Sequence, residues 1–130
     1  MLTAQNIYEL ASSFLFERDG DDADSKRFCL GYLNIMLQET LDIENSIRRS
    51  KGVQELEEAP YLLDLSDTVP YSGALTRVAF PYGMAYYFYK EGMDNYTAAE
   101  YKASYVDACS SAAKVDYDVI QDMNRGPSDD

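Results

Sequence analysis

Residues 59–83 read APYLLDLSDTVPYSGALTRVAFPYG, and they decide how the rest of the chain is read. Pro60 opens an apolar run from Tyr61 to Leu65, and Ser66, Asp67 and Thr68 follow as a polar turn. Leu63 and Leu65 alternate with Asp64 and Ser66, which fits a short strand. Val69 precedes Pro70, and a residue before proline is pushed to extended geometry. No helical period runs from Glu55 to Tyr71. The reading here is an extended arm or a β-hairpin, because a connection of this length in a compact domain has structure or a task of its own.

A third helix, about 72–91, leaves this arm with Ser72 as its cap. Leu75, Val78, Ala79, Tyr82, Tyr86, Tyr89 and Met93 share its predicted face. Pro81 lies inside it. Proline removes the bond to the carbonyl four residues back and clashes with it, so a kink is expected between Arg77 and Pro81. Gly83 leaves room for close approach of another backbone, and Gly92 ends the helix.

On the N-terminal side, Ile7, Leu10, Ala11, Phe14 and Leu15 form one stripe of a helix over 3–17 with Thr3 as N-cap. Asp19-Gly20-Asp21-Asp22 reads as a turn. A long central helix is predicted from about Asp24 to Lys51, with Arg48, Arg49 and Lys51 in its last turn and Gly52 beyond it. It carries two apolar stripes, one through Phe28, Tyr32, Ile35, Met36, Ile43 and Ile47, the other through Leu30, Leu33, Leu37 and Leu41. The second stripe faces either the domain's own core or a neighbouring subunit.

On the C-terminal side, Thr97-Ala98-Ala99-Glu100 matches a capping box, with Tyr96 and Tyr101 at the staple positions. Ala98, Tyr101, Tyr105, Ala108, Cys109 and Ala112 form the inner face of a fourth helix that fades between Lys114 and Met123. The fold expected is mainly α: a four-helix bundle-like domain over 1–123, with a long central helix and an arm or hairpin between helices 2 and 3. Residues 124–130 read as a mobile acidic tail.

Composition narrows the function. The 130 residues carry 23 Asp+Glu against 11 Lys+Arg, a net charge of −12, so a basic surface for phosphate backbones is excluded. There is no histidine, which removes the commonest general base and zinc ligand. No phosphate-binding glycine loop or hydrolase motif occurs, and the acid run Asp19-Gly20-Asp21-Asp22 lacks calcium-loop spacing. No enzymatic activity, cofactor or metal is expected. Cys29 and Cys109 sit in helical apolar patterns and read as free thiols in a reducing compartment, though one disulfide is compatible with the sequence. No apolar run approaches the roughly 18 residues of a membrane span, and no secretion signal is read at the N-terminus. Twelve tyrosines are the most unusual feature, and they fit either a core whose hydroxyls reach water or a subunit interface.

Taken in order, Leu33-Asn34-Ile35-Met36-Leu37-Gln38-Glu39-Thr40, then Leu65-Ser66-Asp67-Thr68-Val69-Pro70-Tyr71, then Leu75 to Ala85, then the Tyr-rich helix from Tyr101 to Ala113, the chain resembles the head-to-tail connector (adaptor) proteins of tailed phages. The spacing D-x-V-P-Y, L, P-Y-G-x-A carries most of the likeness, which covers about Thr3 to Val119. The resemblance implies a non-enzymatic structural virion protein at the neck, made in the bacterial cytoplasm. Such adaptors form homo-oligomeric rings, commonly of twelve subunits, under the portal protein. They meet the next neck or tail protein and extend a channel through which DNA passes without specific binding. No membrane is involved. The interface candidates are Tyr61, Leu63, Leu65, Val69, Pro70, Tyr71, Tyr82 and Tyr86. The alternative is an intracellular helical protein-interaction or regulatory module.

Overall fold

The computed structural model describes the backbone of residues 1–15 and 22–125 and the side-chain surroundings of 1–15 and 25–114. The chain is mainly helical. Five α-helices occur among the described residues: α1 (Ala4–Ser12), α2 (Asp22–Glu39), α3 (Leu41–Ser50), α4 (Phe80–Glu91) and α5 (Asn95–Arg125), with a π-helical turn at Ala74–Ala79 running straight into α4. Residues 16–17 of the predicted first helix, most of the Asp19–Asp22 turn and residues 126–130 of the predicted tail lie outside the described residues.

α1 begins as its sequence dictates. Thr3 is the N-cap, its hydroxyl accepting from the Asn6 amide at 3.1 Å, while the Asn6 side chain accepts from the Thr3 amide at 3.0 Å. The next two amides find partners outside the helix: Ala4 donates to the Asp67 carbonyl and Gln5 to that of Leu65. The 53–73 connection therefore completes the start of α1.

The predicted long central helix is two helices. Thr40 stands between them with φ −109° and ψ 10°, fully buried, its hydroxyl donating back to the Met36 carbonyl at 2.8 Å. Back-bonding of this kind bends helices. The Leu37 carbonyl, which a straight helix would offer to the Leu41 amide, receives the buried Tyr71 hydroxyl at 2.6 Å. The bend also moves the buried face. Cys29, Leu33, Met36, Leu37, Glu44 and Ile47 point inward, whereas Phe28 and Ile35 are exposed. Gly52, at φ +72°, closes α3: its amide donates to Arg49 and that of Val53 to Arg48, the paired bonds of a Schellman end.

The kink expected at Pro81 takes the form of the π-helical turn. The carbonyl that Pro81 would strike in an α-helix belongs to Arg77, inside the widened turn, and the Phe80 amide bonds five residues back to Leu75. No side chain caps this segment; Ser72 supplies its carbonyl, not its hydroxyl, to the Leu75 and Thr76 amides. The extra residue in the turn rotates the face below it. Leu75, Thr76, Ala79, Phe80, Gly83, Met84 and Ala85 are buried, and Val78, expected inside, is exposed.

α4 ends at Glu91 with Gly92 as its C-cap, as expected, but the left-handed residue comes one position later. Gly92 has φ −79°, and Met93 takes the left-handed conformation at φ +64° with its side chain in solvent. Asp94 then caps α5: its carboxylate accepts from the Thr97 amide at 3.1 Å. The capping box expected at Thr97 and Glu100 is therefore absent, because the helix has already started, and Tyr96 is left exposed. Nothing between Lys114 and Arg125 breaks a helix, and α5 runs on to Arg125 just before Gly126 and Pro127.

The core lies where α1, α2, α4 and α5 meet, with Ile7, Leu33, Met36, Leu75, Phe80 and Met84 fully buried. α4 lies most extensively against α5, and α3 packs against the same helix. Gly83 is the closest point: a Cβ there would collide with Met36 Sδ and stand 2.9 Å from the Tyr105 ring. Most tyrosine rings are used inside the domain. Tyr82 stacks on Phe14 at 5.2 Å, Tyr89 on Tyr101 at 5.6 Å and Tyr32 on Tyr87 at 5.2 Å. The Tyr89 hydroxyl donates to the Phe14 carbonyl at 2.7 Å.

Candidate functional site

The 53–73 connection is not a β-hairpin. Among the described residues its strand-like pairing is one antiparallel bridge, between Thr3 and Thr68. Without a partner strand it is held by side chains of the helices beneath it.

Two asparagines act as surrogate strand partners. The Asn45 amide accepts from the Leu56 N–H at 2.7 Å and donates to the Leu56 carbonyl at 2.9 Å. Asn34 grips Leu62 in the same way, at 2.7 and 3.1 Å. Between and beyond these grips sits an ion pair. Glu44, 2% exposed, holds Arg48 at 2.8 Å and accepts from the Ser72 amide at 2.7 Å. The other guanidinium nitrogens of Arg48 donate to the carbonyls of Gln54 at 3.0 Å and Pro70 at 2.6 Å. Glu44 is buried and Arg48 half-buried, and each oxygen of the carboxylate and each nitrogen of the guanidinium has a partner, the condition under which a desolvated ion pair is tolerated. It fixes both ends of the connection to α3.

Asp67 shapes the tip. Its carboxylate accepts from the Leu63 amide at 2.8 Å and the Asp64 amide at 3.0 Å, and its own amide donates to the Asp64 carbonyl. The Asp64 and Leu63 amides hold the carboxyl below the usual aspartate range. The result is a stiff turn. Leu62 and Val69 point into the core, and Tyr61 and Leu63, 76% and 75% exposed, point into solvent.

The eight predicted interface residues thus divide. Tyr61 and Leu63 are exposed. Leu65 and Pro70 are half-buried. Val69 and Tyr71 are core residues, and burial, followed by the nearby Glu44 charge, pushes the Tyr71 hydroxyl up. Tyr82 packs between Phe14 and Tyr101, and Tyr86 lines a cleft between α4 and α5. The fold brings Tyr61 and Leu63 together on one tip and separates them from Tyr82 and Tyr86. The clamps Asn34, Asn45, Glu44 and Arg48 went unread in the sequence. Only Glu44 and Arg48 had a local signal, their i, i+4 spacing.

Among the described residues no three acidic or cysteine side chains gather to hold a metal ion, and no helix is long and apolar enough to cross a membrane. Cys29 is buried and Cys109 half-buried, both as free thiols; burial pushes Cys29 up to about 12, and burial with Glu39 pushes Cys109 up to about 11. Comparison with protein-family models, with curated proteins and with solved structures finds no match to this chain.

Proposed function

We propose that this protein is a structural head-to-tail adaptor of a tailed-phage virion, a bundle-like subunit that forms a ring under the portal and extends the DNA channel toward the tail. The observation that carries the reading is the tip of the 53–73 connection. An exposed apolar pair, Tyr61 and Leu63, is held on a turn braced by Asp67 and by the grips of Asn34 and Arg48. Ordering a loop in advance lowers the entropy cost of docking it, so a braced tip with an aromatic at its end suits a permanent assembly. A ring uses two different patches on each subunit, and the tip is one of them. A net charge of −12 suits a channel wall that offers phosphates no attraction. No reaction is assigned.

The test is native mass spectrometry and negative-stain microscopy, with and without a portal ring. A ring, alone or added to the portal, is the expected result. Tyr61→Ala with Leu63→Asp should abolish it while changing unfolding stability by no more than about 0.5 kcal/mol, as for exposed sites. A protein that stays monomeric and ignores the portal overturns the adaptor reading and leaves a helical protein-interaction module in its place.

A further inference from the structure

A cleft of about 570 Å³ opens between the α2–α3 bend, α4 and α5, on residues that, Tyr86 apart, the adaptor reading does not use. Its size lies within the range of small-molecule sites. Three of its lining residues are acidic or basic: Glu39, Lys90 and Lys102. Glu39 is engaged on both oxygens, accepting from the Tyr105 hydroxyl at 3.0 Å and the Tyr87 hydroxyl at 3.2 Å. Burial and that carboxylate keep both phenols neutral, Tyr87 at about 12 and Tyr105 higher still.

The two ammonium groups are arranged differently. Lys90 comes from α4 and Lys102 from α5, and both converge on the ring of Tyr86, at 5.7 and 5.4 Å from its centroid. Among the described residues neither has a carboxylate partner, although the chain carries twice as many acids as bases. From Lys102 the wall of α5 continues through Val106 and Cys109 to Ala113, and Ile43 of α3 contributes a further apolar side chain. At 1.5 Å per residue this wall is roughly 16 Å long. The cleft therefore has two ammonium groups beside an aromatic ring at one end and a largely apolar run along α5, broken by Ser110, at the other, with the phenol-bound Glu39 also in its lining.

We propose that this cleft is a binding site for a small amphipathic anion, its anionic group between Lys90 and Lys102 and its apolar arm along Val106 to Ala113. A cationic ligand is disfavoured because the Tyr86 ring that would receive it already carries two ammonium groups, and because Glu39 is already hydrogen-bonded by two phenols. Of the acids, Glu39 lines the cleft itself with both oxygens held by the Tyr105 and Tyr87 hydroxyls, and exposed charges beyond about 8 Å are screened at physiological salt.

The probe is 4-phenylbutanoate, titrated into the ¹⁵N-labelled full chain and followed by amide chemical shifts. Three relatives serve as controls: 4-phenylbutan-1-ol lacks the charge, 4-phenylbutylammonium reverses it, and acetate lacks the arm. The expected result is a saturable shift confined to residues 86–90, 102–113 and the Thr40 bend, with each control binding on the order of tenfold more weakly, the value of one contact to a charged group. Lys90→Gln with Lys102→Gln should weaken phenylbutanoate by a similar factor and remove its salt dependence. Val106→Trp, at a half-exposed site that tolerates bulk, should block the cleft. The amide spectrum and thermal midpoint of each variant report whether it is folded. Absence of a saturable shift, equal binding of the alcohol or the ammonium, or binding untouched by the double lysine change overturns the proposal.

Discussion

Replacing Gly83 by alanine tests whether α2, α4 and α5 meet as closely as described. Two effects oppose each other. Alanine in a helix interior is favoured over glycine by up to about 1 kcal/mol. Against this, the new methyl would collide with Met36 Sδ and lie 2.9 and 3.0 Å from two carbons of the Tyr105 ring. Met36 is fully buried, and the Tyr105 ring is tethered through its hydroxyl to Glu39 at 3.0 Å. Neither can swing into solvent, so the three helices must spread. Overpacking of this kind costs about 1–3 kcal/mol, which after the propensity gain leaves a net loss of up to roughly 2 kcal/mol. For a domain of this size the thermal midpoint should fall by up to about 8 °C. Gly31→Ala is the matched control: it too is helical, on α2, but a Cβ there meets nothing within 4 Å. It should gain up to about 1 kcal/mol and raise the midpoint. Urea and thermal unfolding of both variants give the comparison. A further arm is the Met36→Ala background, in which Gly83→Ala should cost less, because the colliding sulfur is gone. If Gly83→Ala stabilises as much as Gly31→Ala, α2, α4 and α5 do not meet closely at Gly83.

Arg48→Met should cost about 3 kcal/mol in urea unfolding, because it strands the Glu44 carboxylate, whose side chain is 3% exposed, and frees two loop carbonyls. The double change Glu44→Leu with Arg48→Met should cost less than Arg48→Met alone; an equal or larger loss would mean that the ion pair is not the origin of the effect. Tyr71→Phe removes the donor to the Leu37 carbonyl and should cost about 1 kcal/mol, with hydrogen exchange rising at the Thr40 bend before it rises elsewhere. Asp67 has a depressed carboxyl, so its contribution is present above the ordinary aspartate value of about 4 and is lost as pH falls through its lower folded value. Protection of the Leu63 and Asp64 amides, relative to their intrinsic exchange, should therefore fall as pH drops through that lower value in the native protein, and in Asp67→Asn that pH step should vanish.

What the sequence discloses and what it hides follow from the range of the forces involved. The helices that form from local periodicity and caps are legible: Thr3 starts α1, Gly52 ends α3, and Ala98, Tyr105 and Ala112 face inward on α5. The errors lie where a distant partner overrides a local rule. The stretch from Asp24 to Lys51 has no proline and its one glycine, Gly31, lies well inside α2, so the bend at Thr40 is marked only by one hydroxyl and by Tyr71, 34 residues from the carbonyl it caps. The alternation around Leu63 fits a strand, but a strand needs a neighbour, and here Asn34 and Asn45 take that neighbour's place from helices. Asp94 overrides the Thr97 capping box simply by coming first. The candidate site shows the same division. Hydrophobicity placed Tyr61, Leu63, Val69 and Tyr71 together in one segment, and only the Leu62 and Val69 anchors decide which of its side chains face out. The two exposed residues of the tip are thus a product of the clamps beneath them. If the Arg48 and Asn34 grips are removed, Tyr61 and Leu63 should lose their fixed presentation even though neither residue has changed. The adaptor reading consequently makes a demand on α2 and α3: assembly should fall with the Arg48→Met clamp variant at temperatures where the helical core is still folded, and assembly that survives loss of the clamp would separate the tip from the ring.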